Sequence, residues 1–478
     1  MKNHIRKSRR LLNPFVGALF FSCAGWTGLG LSNHATAAPP ETPPPQTYMP
    51  VVPTKPFDEV MKADIADKPS VQKAAQELLE ARYDLSDKPT GEQMSAGRRA
   101  VQGGVRVKLP PGVTWEKLNS MTPEQIKQEN LFPAGFRPLP HVKHPTGGMV
   151  FPKDQIDGIK QLEGRDLQRF DVEFNIPDHL RPEFPPPMYL TTHPEAGDVT
   201  GGKLISFRNY YEIFSGKLTP VQMEGLRLLL TPFPQQQFNQ TEDRKSVHAE
   251  LGVTCFDCHT NGHTNATFHL NPDTRPQADR MRLDTVSLRG LFNQQIHGSK
   301  RSLRSIEDFT EFEQRTAYFD GDHVIAAKKG VNLPDRASQV VMMAQFQAML
   351  DFPPAPKLSP VGRLIPSRST EAELRGEELF LGKAQCSVCH APPFFLDDKM
   401  HDLKTERFYN AEVILGQHNK APGPIKTFTL RGIKDSPPYL HDGRLLTLDD
   451  TVEFFNLVLG LKLNDQEKSD LVAYLKCL

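Results

Sequence analysis

"CFDCHTNGH", residues 255–263, places two cysteines three apart with a histidine immediately after them, and "CSVCH", residues 386–390, repeats the pattern. C-x-x-C-H is a haem-attachment signal. Thiols at this spacing lie on one side of a helical turn, where they can add to the two vinyl groups along one edge of a porphyrin. The next residue can then place its imidazole beneath the iron. This reading makes Cys255, Cys258, Cys386 and Cys389 the thioether cysteines, and His259 and His390 the proximal ligands. Two other chemistries compete. Zinc wants four ligands, and each pair supplies two, so both pairs could share one metal. A thiol redox pair would sit in a βαβ setting, and none is visible. Two copies, each with the adjacent histidine, favour two covalently bound c-type haems.

The rest of the chain fits an exported protein. A basic stretch, "MKNHIRKSRR", precedes the apolar run "FVGALFFSCAG" and the cleavage pattern Ala35-Thr36-Ala37. Residues 1–37 therefore read as a signal peptide, cut near Ala37, with a periplasmic destination. Haem attachment is expected outside the cytoplasm, in agreement. The apolar run is too short to be an anchor, and no later stretch is long enough to span a bilayer. The formal net charge of zero gives no sign of a nucleic-acid partner. With Cys23 removed, Cys477 is the one cysteine outside the two pairs, and it reads as buried and inert.

At 478 residues the chain has room for two to four domains. Proline clusters such as "RPEFPPPMY" mark residues 38–215 as a region of mixed or irregular structure, with helical pieces such as "SVQKAAQELLEARYDL". From 216 the pattern changes. Thr219, Pro220 and Gln222 form a helix start, and Thr370 with Glu373 forms another. Between them, residues 352–369 are proline-rich and read as a linker. An internal repeat spans this linker. "TVSLRG" (285–290) and "SIEDFTEF" (305–312) follow the first haem motif. "TFTLRG" (427–432) and "TLDDTVEF" (447–454) follow the second. Arg289 to Ser305 and Arg431 to Thr447 are both 16 residues. Ser305 and Thr447 each read as an N-cap. A histidine, His297 or His441, sits inside each interval.

"RGEELFLGKAQCSVCHAPPFF", "TFTLRGIKDSPPYLHDGRLLTLDDTVEFF" and "LNDQEKSDLVAYLKCL" resemble the bacterial di-haem cytochrome c peroxidase and MauG family, over about residues 216–478. The resemblance implies a mainly α fold with two cytochrome c-like helical domains in tandem, at 216–351 and 370–478. One haem would be a reaction centre, usually the N-terminal one, and the other would relay electrons. Calcium often sits between them; Asn293 and the backbone near Pro437 are the matching positions. "PPYLHDG" places His441 close to the second haem. Hydrogen peroxide or another small oxidant is the implied substrate, a cytochrome c or a cupredoxin the implied donor, and a homodimer is compatible with this reading.

The chain departs from the family at both irons. Its peroxidases place a methionine, and MauG a tyrosine, where this chain has Phe455. Met400, ten residues on, is the only methionine after His390, so the second iron would be five-coordinate or ligated by another residue such as His441, His418 or Tyr409. Losing a methionine ligand predicts a lower potential. The family's distal glutamine and glutamate become Phe309 and Phe319. Glu313 is the first choice for the missing acid–base group, with Glu311 and Asp320 behind it; this acidic stretch also suits the solvated start of a helix. The tryptophan between the haems is absent, and His297 occupies roughly its place. Three functions follow: a peroxidase, a MauG-like or oxygenase-like enzyme acting on a protein or organic substrate, and a non-enzymatic electron carrier.

Overall fold

The computed structural model describes residues 56–140, 149–170, 176–232, 253–270, 282–319, 333–409, 413–414, 417–418 and 422–478. The signal segment 1–37 and Asp320 lie outside the described residues, as do the side chains of Phe319 and His418. The described chain is mainly α, with short strands paired in small antiparallel sheets.

Two helix pairs organise it. The Pro220–Leu229 helix opens on a capping box in which the Thr219 hydroxyl accepts from Gln222 N–H and the Gln222 side chain accepts from Thr219 N–H. Thr370 and Glu373 do the same for Glu371–Leu381. Each box satisfies two amide donors that the first turn cannot bond internally. These leading helices cross the closing helices Leu333–Gln347 and Asp465–Leu475, and each crossing is made at a glycine. Gly225 lies against the Met342 carbonyl and Gly376 against the Asp470 carbonyl, so close that a Cβ at either site would overlap that oxygen. Around the crossings the rings close-pack. Phe214 meets Phe346 edge-on at 6.4 Å in the first pair, and Phe380 meets Tyr474 at 5.1 Å in the second.

The internal repeat is a repeat of backbone. In both copies a left-handed glycine, Gly290 or Gly432, starts a 3-10 turn, at Leu291–Asn293 or Ile433–Asp435. A single antiparallel bridge follows, His297 with Leu303 and Tyr439 with Leu445. Then comes a helix, Ile306–Phe319 or Leu448–Leu459. Ser305 and Thr447 both receive the amide three residues on, at 3.1 Å. The bridge corrects one correspondence. His297 is the counterpart of Tyr439, and His441, two residues further, is the counterpart of Ser299. The two histidines fall in the same interval but at different positions of the turn, because register is set by the backbone pairing and not by residue type.

Residues 56–215 divide their packing between the repeats. Tyr83, Leu118, Phe132, Phe136 and Leu139 share an apolar core with the second repeat, and Phe132 stacks on Phe408 at 4.5 Å. Phe151, Ile156, Ile159 and Leu167 pack with Cys255 and Cys258 of the first. The stretch 352–369 is fastened to the second leading helix by Lys357–Glu373 and by Arg363–Glu377 at 2.9 Å.

Candidate functional site: two C-x-x-C-H turns

The first turn is a short helix, Cys255–Cys258, capped by Thr254, whose hydroxyl accepts from Asp257 N–H at 3.1 Å. His259 ends it and is held through Nδ1, 2.8 Å from the Val286 carbonyl. The second turn, Cys386–Val388, carries His390, held through Nδ1 at 3.0 Å from the Phe395 carbonyl. A ring that donates from Nδ1 to a backbone carbonyl is locked in orientation, and Nε2 becomes its metal-binding nitrogen. Both proximal candidates share this device.

The thiols do not suit the competing chemistries. Burial raises Cys255 to about 12, with Glu313 and Asp257 adding to it. Cys258 rises well above its ordinary value, first through burial, then through Asp257 and Cys255. A buried, protonated pair is a poor redox dithiol. Among the described residues, the one trio of cysteine, histidine and acid groups close enough to share a metal is Cys389, Asp397 and His401, so the two pairs are not brought to one zinc.

At the first turn, Glu313 and Phe309 are half-buried on the Ile306–Phe319 helix, and Phe312 beside them is buried. Phe309 and Phe312 lie 6.4 Å apart, and the Arg301 guanidinium lies over Phe312 at 4.4 Å. The helix is fixed to the closing helix by Gln347, which donates to Thr310 Oγ1 at 2.9 Å. Glu313 is close enough to act on both cysteines electrostatically. Glu311 lies two residues earlier on the same helix and is half-buried.

His297 is buried, and burial lowers it to about 4, with Lys426 next in effect. Lys426 comes from the second repeat. Its backbone N–H donates to the Ser299 carbonyl at 3.0 Å, its ammonium donates to Gln294, and burial lowers it to about 7. His297 of the first repeat and Lys426 of the second thus lie close together. Asn293 ends the first 3-10 turn, and Pro437 follows the second at a cis peptide to Pro438.

Near the second turn a polar cluster is enclosed. Cys386, Tyr409 and Tyr439 belong to one core. Both ring nitrogens of His441, the Tyr409 hydroxyl, Arg444 Nη2 and Asp284 Oδ1 are buried without a hydrogen-bond partner. Burial drives His441 down to about 3 and raises Tyr409 and Asp284. Asp442 couples to all three, so they share one neighbourhood. Buried polar atoms left unpaired cost about 1–3 kcal/mol each, so this cluster is built for a polar or metal-bearing group. The donor set fits a haem. His390 would supply the proximal nitrogen, and His441 and Tyr409 are buried side chains able to ligate iron or bond a propionate. Phe455, at the family's ligand position, packs edge-on to Phe454 at 5.3 Å. Met400 lies in a strand paired with Lys426.

Sequence reasoning left His263 without a role. It is a buried cross-link, with Nδ1 2.7 Å from Ser287 Oγ and Nε2 3.0 Å from the Asp435 carbonyl of the second repeat. Burial holds it well below the ordinary histidine range, with Arg289 adding to this. A depressed value means that the unfolded chain takes up the proton first, so the stabilisation is full above about pH 6.5 and is lost as pH falls. We expect wild type to exceed His263→Gln in stability at pH 8. By pH 5 that gap narrows by up to about 2 kcal/mol. Urea midpoints across this range measure it, and a gap that widens toward pH 5 contradicts the assignment.

A mainly α chain carrying two such turns has the thiols and imidazoles that covalent haem attachment would use. The relatives narrow the class. The methylamine utilization protein MauG of Methylorubrum extorquens is 33% identical over 122 residues, 22% of this chain and 33% of that protein. The cytochrome-c peroxidases IdrP2 and IdrP1 of Denitromonas iodatirespirans are 30% and 31% identical over 160 and 153 residues, covering 44% and 40% of those proteins. The chain thus spans less than half the length of these relatives. No family model matches it. A crystal structure of a MauG-like protein associated with microbial copper homeostasis aligns with a TM-score of 0.35 at 17% identity, over 55% of this chain and 90% of that one, a likeness too slight to inform the fold. Over about a quarter of its length the chain is therefore similar to MauG and to cytochrome-c peroxidases.

Proposed function

We propose that the protein is a periplasmic di-haem c-type oxidoreductase of the peroxidase type, taking a small oxidant such as hydrogen peroxide at the first C-x-x-C-H turn. A small donor protein, a cytochrome c or a cupredoxin, would deliver electrons at the second. The observation that carries this is the pair of C-x-x-C-H turns whose histidines are both pinned through Nδ1 to a backbone carbonyl. Bound haem would supply one-electron chemistry at both turns and an iron centre for the oxidant at the first. The chain's own residues do the rest. Cys255 and Cys258 would hold one haem, and Cys386 and Cys389 would hold a second. Glu313 can move a proton between the two oxygens of peroxide through its carboxylate. Phe312, buried, and Phe309, half-buried, would make the remainder of that side apolar.

The two cores differ in access. Phe256, inside the first C-x-x-C, is 3% exposed, whereas Val388, inside the second, is 72% exposed. An open turn suits electron delivery by a partner, and a closed one suits confined chemistry. The second reading, a MauG-like enzyme oxidising a protein or organic substrate, is favoured by the rings of Phe309 and Phe312 beside Glu313.

Denatured protein should retain two haems per chain by the pyridine haemochrome spectrum, and Cys255→Ser/Cys258→Ser should retain one. Protein without covalent haem defeats the proposal. Peroxide-dependent oxidation of reduced cytochrome c selects the peroxidase. Two low-spin haems indifferent to peroxide would leave an electron carrier.

A further inference from the structure

Residues N-terminal to the repeats form part of the first C-x-x-C-H site. The Lys153–Glu163 helix ends at the left-handed Gly164, and the next residue, Arg165, turns inward. Its guanidinium grips Asp257, the residue between Cys255 and Cys258, through two parallel bonds: Nη1 to Oδ2 at 2.7 Å and Nη2 to Oδ1 at 2.9 Å. Its Nε donates to Glu163 Oε2 at 2.7 Å. The side chains of all three are less than a tenth exposed. The carboxylates have further duties. Asp257 Oδ2 accepts from Thr254 N–H at 2.7 Å, and Glu163 Oε1 accepts from Phe207 N–H at 2.8 Å.

Hydrogen bonds from the same region continue along the motif. Gln155 Oε1 receives Thr260 Oγ1 at 2.8 Å and Asn265 Nδ2 at 3.0 Å. Asn261 donates to the Pro186 and Lys203 carbonyls and accepts from Ile205 N–H. The second turn has no equivalent of this clamp: Ser387 and Val388 stand where Phe256 and Asp257 are, and neither is acidic. A charge placed inside one C-x-x-C, buried and then balanced from outside the repeat, is a feature of the first site alone.

We propose that Arg165 is a positioning residue for the first haem: with Glu163 it balances Asp257 inside the attachment turn and thereby sets how readily that haem is reduced. This rests on the haem reading above. The sign follows from charge. The triad of one arginine and two carboxylates carries a net charge of −1. Reduction removes one positive charge from the iron, so a more negative triad favours the oxidised form and a less negative one favours the reduced form. Arg165→Met takes the triad to −2, Asp257→Asn takes it to zero, and the double variant returns it to −1. One buried unit charge near the centre is worth about a tenfold change in the reduction equilibrium.

The test is a spectroscopic redox titration of the first haem in the holoprotein and the three variants, with haem content measured on the denatured chains. The expected order of potentials, from highest to lowest, is Asp257→Asn, then wild type and the double variant together, then Arg165→Met. Single variants that shift the potential in the same direction, or a double variant lower than Arg165→Met, would overturn the proposal, since damage to packing accumulates and does not cancel. If Arg165→Met fails to fold, Glu163→Gln serves. It also takes the triad to zero and should raise the potential as Asp257→Asn does, and an unchanged potential would overturn the proposal. Wild-type protein without haem on Cys255 and Cys258 would instead overturn the haem reading itself.

Discussion

Glu313→Gln is expected to lower peroxide turnover by about a hundred- to ten-thousand-fold while both haems stay attached. The size follows from the task. Splitting an O–O bond requires a proton to leave one oxygen and arrive at the other, and a positioned carboxylate contributes that much to such a transfer. Glu313 acts electrostatically on both Cys255 and Cys258, and it sits one turn beyond Phe309 on a helix held by Gln347. Glutamine keeps its shape and loses its proton chemistry. Steady-state kinetics with reduced cytochrome c measure the effect, and it should fall on kcat. Full activity in this variant would exclude Glu313 as the proton carrier and pass the role to Glu311.

Gly376→Ala should be among the most destabilising single substitutions in the second repeat, and Gly225→Ala its counterpart in the first. A methyl at either site overlaps a backbone carbonyl of the closing helix, Asp470 or Met342. A side-chain tip could rotate away, but a helical carbonyl cannot move without the helix. Overpacking of this kind costs about 1–3 kcal/mol and sometimes more. At Gly376 the closing helix is also held by Arg375, bidentate to Asp470, so displacing it strains an ion pair as well. Thermal unfolding followed by circular dichroism should show a lowered transition for Gly376→Ala. An unchanged transition would mean that the helices separate freely at that point.

Much of this arrangement is legible in the sequence because it is local. Capping boxes at Thr219 and Thr370 depend on residues three apart, and the structure shows both. The common spacing from Arg289 to Ser305 and from Arg431 to Thr447 reflects one backbone path used twice. What a spacing does not reveal is which side chain fills a given place. His297 and His441 share an interval, yet the two bridges, His297 with Leu303 and Tyr439 with Leu445, make Tyr439 the counterpart of His297. His263 offered no local sign of its role, because its second partner, the Asp435 carbonyl, is 172 residues away in the chain. The same holds for residues 56–215, whose prolines suggested irregular structure and gave no hint that Arg165 reaches Asp257 across 92 residues.

The sequence by itself determined the helix starts, the repeat and the two C-x-x-C-H motifs, because each is written in residues close together. Only the tertiary structure decided that the first attachment turn is closed and clamped while the second is open, and that His441 and Tyr409 lie buried in one neighbourhood around Asp442. Those outcomes depend on burial and charge pairing between distant segments. Burial decides which polar groups must find a partner.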